Sequence, residues 1–179
     1  MAQHGYEGAS IAQISEESGL PASSIYWHFG SKEGVLAAVM ERGATAFFAR
    51  VDIALPPTLR GDKRVRALFD SASEALALDP DFMRLFILLL LTRRANLTVQ
   101  RVRAEGKLRL RALLRESYSD LGHAAARKLT NVAIAMFDGA FLAVQNDPSL
   151  EYAPLLRQMA QALAALVKAA SANSRRART

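Results

Sequence analysis

The chain has 179 residues, 51% of them hydrophobic, with 10 Gly, 6 Pro and no Cys. That size accommodates a small head on a larger body, and the lack of cysteine excludes disulfides, thiolate metal sites and cysteine nucleophiles. The net charge of +6 suggests an anionic partner, although its placement matters more than its sum. Residues 1–45 carry Lys32 and Arg42 against Glu7, Glu16, Glu17, Glu33 and Glu41, a balance of −3, so the remainder carries +9. The longest apolar run, Leu85 to Leu91, is far shorter than the roughly 20 residues of a membrane span. No basic-then-apolar signal opens the chain. A cytoplasmic chain without a membrane partner is therefore expected.

Alanine and leucine dominate while β-branched residues are sparse, so an all-α fold is predicted. Ser10 and Gln13 read as a capping box that starts a short helix with Ile11 and Ile14 inward. Gly19 stops it, and Pro21 suits the first turn of a second helix running to about His28. Gly30-Ser31 breaks that helix, and Ser31 caps a third through about Leu55. Two short helices around a glycine turn describe a helix-turn-helix. The geometry asks for Ile11, Ile14, Leu20, Ile25 and Phe29 to lock the pair. It also asks for small or polar Ala22, Ser23 and Ser24, so that the second helix can enter a major groove.

Pro56-Pro57 and Gly61-Asp62 mark a linker. Val65, Leu68, Phe69, Ala72 and Leu76 then form one apolar stripe at helical spacing. Asp79-Pro80 opens a helix that is apolar nearly all round, which predicts a central position. Further helices are expected over about 97–118, 124–145 and 151–170. The boundaries predicted are a helix-turn-helix head over 1–45, a helical body over 46–170, to which the resemblance described next assigns ligand binding and dimerisation, and a disordered basic tail over 171–179.

Gly5-Tyr6-Glu7-Gly8-Ala9-Ser10-Ile11, Ser24-Ile25-Tyr26-Trp27-His28-Phe29 and Ser31-Lys32-Glu33-Gly34-Val35-Leu36 resemble the TetR family of bacterial repressors. Phe137-Asp138-Gly139-Ala140 with Asn146-Asp147-Pro148 resembles the family's penultimate helix. The resemblance implies a homodimer that binds a palindromic DNA operator and is released by a small, largely hydrophobic effector. It implies that Ala22, Ser23 and Ser24 face base edges and that Tyr26 and His28 approach phosphates or bases. Trp27 would lie along the sugar-phosphate wall, and Lys32 would meet a phosphate beside its helix's N-terminal amides. In the family a whole helix precedes Gly5, where this chain has Met1–His4. A loss of roughly 15–20 residues is therefore expected, with apolar surface exposed around Ile11, Ile14 and Phe29 and weak DNA binding until the segment is restored.

For the body, the family implies a ligand cavity, with Phe69, Phe82, Phe86, Leu90, Leu110, Leu114, Tyr118 and Phe137 as its candidate lining. Tyr118, Asp138 and Gln145 are the candidate polar groups. An aromatic and Met stripe at helical spacing is more often plain core. The last two helices carry small and apolar residues around most of their circumference. Met136, Gly139, Ala140, Ala143, Leu155, Met159, Leu163 and Leu166 are the expected dimer interface, a four-helix bundle between two copies. The basic stretch Arg93, Arg94, Arg101, Arg103, Lys107, Arg109, Arg111 and Arg115 reads as a solvated surface or an anionic-ligand site. With only His4, His28 and His123, no metal-ligand spacing and no glycine-rich phosphate loop, neither enzyme, metal nor cofactor is expected. The alternative reading is a helical dimer that acts through its body without DNA.

Overall fold

Alanine and leucine dominate the chain and favour helix over strand. The computed structural model describes residues 5–53, 55–56, 58–91, 97–119 and 121–176. These form α1 (Gly5–Gly8), α2 (Ile11–Ser18), α3 (Ala22–Phe29), α4 (Lys32–Ile53) and α5 (Gly61–Leu78). They continue with α6 (Pro80–Leu91), α7 (Leu97–Ser117), α8 (His123–Asn146) and α9 (Tyr152–Arg176). No strand occurs among the described residues, so the expected all-α class is the one observed. No helix among them is long and apolar enough to cross a membrane.

Packing divides the chain into two compact units, Met1–Phe47 with Asp79–Arg103, and Phe48–Leu78 with Ala104–Thr179. In the first, α2 packs on α3 and α1 packs on α6. Its buried side chains include Ala9, Ile25, Val35, Leu36, Met40, Met83, Leu85, Phe86 and Leu89. The rings of Phe47, Phe82 and Phe86 form a ladder with 6.2 Å between successive centroids. Gly43 lets this ladder approach α4, since a Cβ there would lie 2.3 Å from the Phe82 ring. α6 departs from the expectation of full burial. Leu88 and Leu91 are exposed, because a helix of three turns meets its neighbours on fewer sides than its composition would allow.

In the second unit α9 packs along both α5 and α8. The stripe read from α5 is inward as expected, with Val65, Phe69, Ala72 and Leu76 buried and Leu68 half-buried. Polar clasps tie the helices together. Arg64 of α5 pairs with Glu116 of α7 at 2.9 Å, and Arg157 of α9 pairs with Asp70 of α5 at 3.4 Å. Asp62 of α5 accepts from the Tyr118 hydroxyl at 2.7 Å and from Lys168 Nζ at 2.6 Å. Burial and the neighbouring carboxylate push the Tyr118 phenol well above its ordinary value. The hydrogen bonds from Lys168 and Tyr118 hold the Asp62 carboxyl below the usual carboxylate range.

The tail corrects the sequence reading. α9 does not end near Ala170 but continues to Arg176, because Ala and Arg are among the strongest helix formers and no glycine or proline intervenes. Residues 177–179, with Arg178, lie outside the described residues, as do Met1–His4, Arg93 and Arg94.

Candidate nucleic-acid interface

The interface is built on α2 and α3, two helices of eight residues each. Ser10 caps α2 as the spacing required. Its hydroxyl accepts from the Gln13 N–H at 3.1 Å, and Gln13 Oε1 accepts from the Ser10 N–H at 2.8 Å. Gly19 ends the helix at φ +71°, a left-handed conformation that favours glycine. The turn is tightened where the Ser15 hydroxyl donates to the Leu20 carbonyl at 2.6 Å. Pro21 flanks α3 at its N-cap, and Gly30, also at φ +71°, closes it.

Ile25 anchors α3 from beneath, with 2% of its surface exposed. Ser23, Tyr26 and Trp27 share the opposite side at i, i+3 and i+4 spacing, and all three are exposed. Tyr26 is 53% exposed and Trp27 81%. The Trp27 ring meets the exposed His28 edge-on, with centroids 4.6 Å apart. Ala22 and Ser24 are half-buried at the flanks. Six of the seven expected contact residues thus cluster on one short helix, and the seventh, Lys32, opens α4 directly after it.

The five residues expected to lock the two helices do not all do so. Ile11 and Ile14 are half-buried, Leu20 is exposed, and Phe29 is 39% exposed. Two helices of barely two turns have too little surface between them to cover five large side chains. Ala9, Val35, Leu36 and Met40, from α4 and the turn before α2, supply the missing core.

α4 begins with its own cap, the Ser31 hydroxyl accepting from the Gly34 N–H at 3.1 Å. Gly34 is sterically required. A Cβ there would lie 1.8 Å from the Phe29 carbonyl oxygen. The Lys32 ammonium lies 4.3 Å from the centroid of the Tyr6 ring, and the Tyr6 hydroxyl donates to Glu33 Oε1 at 2.6 Å. That hydrogen bond, with others from the Glu33 backbone and Ser31, holds the Glu33 carboxyl below its usual range. Tyr6 carried no role in the sequence reading. It lies 26 residues from Lys32, and no local pattern links the two.

The candidate effector residues fall into two groups. Phe82, Phe86 and Leu90 belong to the first unit, and Phe69, Leu110, Leu114, Tyr118 and Phe137 to the second. Phe69, Phe86 and Leu114 are buried as packing residues. A cleft of about 260 Å³ between α5 and α9 is lined by Asp62, Arg66, Ala160, Gln161, Ala164, Ala165 and Lys168, and none of the eight reaches it. Of the polar candidates, Tyr118 is engaged with Asp62, and Gln145 Nε2 donates to the Tyr152 hydroxyl at 2.9 Å.

The expected dimer residues divide similarly. Ala140, Met159 and Leu163 are buried inside the chain. Their burial follows from the packing of α9 along α5 and α8. Gly139 and Leu166 are exposed, and Met136, Ala143 and Leu155 are half-buried. Val132 and Leu142 of α8 and Ala162, Ala165 and Ala169 of α9 extend the exposed apolar face. In the basic stretch, Arg101 pairs with Glu41 at 3.2 Å. Arg109 pairs with Asp52 and with Glu105, the latter at 2.7 Å, and lies over the Phe48 ring.

Residues 1–39 match the family model described as bacterial regulatory proteins, tetR family. The chain is similar to the HTH-type transcriptional repressor ComR of Escherichia coli, 42% identical over 48 residues, covering 27% of this chain and 23% of ComR. It is also 31% identical over 88 residues to the repressor AcnR of Corynebacterium efficiens, covering 45% of this chain and 47% of AcnR. The chain thus spans less than half the length of these curated relatives. Among solved structures, a TetR family regulator, PfmR, from Thermus thermophilus superposes with TM-score 0.69 at 17% identity over 90% of both chains. A transcriptional regulator from Rhodococcus superposes with TM-score 0.72 at 15% identity, covering 93% of this chain and 92% of that one.

Proposed function

We propose that the chain is a transcriptional repressor of the TetR family, whose model its residues 1–39 match, and that it reads a palindromic operator through α3. The observation that carries the reading is α3 itself. It is anchored by one buried residue, Ile25, and offers Ser23, Tyr26, Trp27 and His28 to the outside. An exposed tryptophan beside an exposed tyrosine has no folding role to account for it.

In this reading Ser23, Ser24 and Ala22 meet base edges, where hydroxyls and a methyl group give modest discrimination. Tyr26, His28 and Lys32 fix the register on phosphates and Trp27 packs on the sugar-phosphate wall. The head is acidic by −3 over residues 1–45, so few cations offset the phosphates. Hydrogen bonds, half-site spacing and DNA shape then carry more of the specificity. The homodimer is part of the proposal. The exposed face of Val132, Gly139 and Leu142 on α8 with Ala162, Ala165, Leu166 and Ala169 on α9 supports it. A two-fold dimer sets two recognition helices about 34 Å apart, one turn of DNA. Release by a small, largely hydrophobic effector completes the reading. The half-buried apolar side chains Leu110 and Phe137 of the second unit favour it.

The test is enrichment of duplexes from a random-sequence library on the full chain, followed by footprinting. A two-fold symmetric sequence with half-sites about one turn apart is expected. Enrichment of no duplex at all would instead favour a dimer that acts through its body.

A further inference from the structure

Tyr6 lies outside α3 and yet touches both residues that open α4. Its hydroxyl holds Glu33 at 2.6 Å, and its ring lies 4.3 Å from the Lys32 ammonium. Lys32 and Glu33 are adjacent and opposite in charge. Successive positions on a helix do not face each other, so one group that touches both side chains must reach them from outside α4. Tyr6 does so, its hydroxyl on the carboxylate and its ring face against the cation. An ammonium neutralised by a carboxylate attracts a phosphate less strongly. A ring face attracts a cation through its quadrupole and carries no net charge, so it holds Lys32 in place without an anion. Among the described residues Lys32 makes no ion pair with a carboxylate. Lys32 and Arg42 are the Lys and Arg residues within 1–45, against five Glu.

We propose that Tyr6 is a positioning residue for DNA-phosphate binding, its ring holding the Lys32 ammonium ready for a phosphate. The proposal rests on the reading of α3 as the DNA-contacting helix. Lys32 is half-buried and its ammonium stays over the ring, so little side-chain freedom remains to be lost on binding. The Tyr6 hydroxyl also fixes which way the neighbouring carboxylate points.

The experiment is a fluorescence-anisotropy titration of the full chain at several salt concentrations, with a duplex enriched from a random library on the wild-type chain. Variants are Lys32→Met, Tyr6→Leu, Tyr6→Phe and the double variant Tyr6→Leu/Lys32→Met. Lys32→Met is expected to reduce the slope of log affinity against log salt by about one. Tyr6→Leu is expected to weaken binding about threefold or more, with Tyr6→Phe between it and wild type. The double variant should bind no more weakly than Lys32→Met alone. Losses that add in full would overturn the proposal. An unchanged slope in Lys32→Met would instead remove Lys32 from the phosphate contacts, and with it the reading on which Tyr6 depends. Without DNA, the Lys32 ε-methylene protons should be shifted upfield by the Tyr6 ring in wild type and in Tyr6→Phe. Absence of that shift in wild type also overturns the proposal, even where Tyr6→Leu fails to fold.

Discussion

Single residues in the head separate folding from recognition. Ile25 is buried beneath α3, so Ile25→Ala should cost roughly 2–4 kcal/mol in thermal or urea unfolding. Trp27 makes its ring contact with His28 at the surface. Trp27→Ala should therefore leave stability within about 0.5 kcal/mol while weakening DNA binding, and a large loss of stability would mark Trp27 as a packing residue. Two glycines give opposite signs for one chemical change. A Cβ at Gly34 would lie 1.8 Å from the Phe29 carbonyl, whereas at Gly106 it would meet only the Phe48 ring at 3.6 Å, an ordinary contact. Gly34→Ala should destabilise by roughly 1–3 kcal/mol. Gly106→Ala should stabilise by about 0.5–1 kcal/mol, because alanine restricts the unfolded chain. Denaturant midpoints of the two variants on opposite sides of wild type are the expected result.

Among the elements, local signals were legible and long-range ones were not. The Ser10 cap, the Gly19 stop and the Ser31 cap each act on backbone close by in the chain, and all were readable from spacing. The helix boundaries read from Val65 to Leu76 and beyond came from periodicity, which burial enforces. The Tyr6 contacts, the α5–α7–α9 clasps and the side of α9 that turns inward depend on partners 26 to 106 residues away. No window along the chain contains them. The clasp at Asp62 has a pH signature. Its carboxyl is held below the ordinary value by Lys168 and Tyr118, so its contribution is present above about pH 4 and lost as pH falls through the lowered value. The Tyr118 phenol is held above its ordinary value, so its contribution is present below about pH 10 and lost as pH rises further. Thermal stability of the body should be level across neutral pH and fall at both ends. Asp62→Asn should shrink the acid-side fall, and an unchanged acid limb would show that other carboxylates set it.

At the scale of the whole molecule, composition alone predicted an all-α chain, and the head motif pointed to the family. The effector site remained illegible because core and pocket draw on the same apolar residues. The dimer reading predicts a species of twice 19.5 kDa in sedimentation, reduced to monomer by Leu142→Glu or Leu166→Glu. Each places a charge on the exposed apolar face without touching the core. A wild-type monomer would remove the two-fold operator geometry. The central claim is that α3 reads DNA, and its most direct measurement is the affinity of the full chain for its enriched duplex against salt, compared with Tyr26→Ala. Expected are a log-log line falling steeply with salt and a loss of about tenfold or more in Tyr26→Ala, as for a hydrogen bond to a charged phosphate. Salt-independent binding, or a Tyr26→Ala variant as tight as wild type, would contradict it.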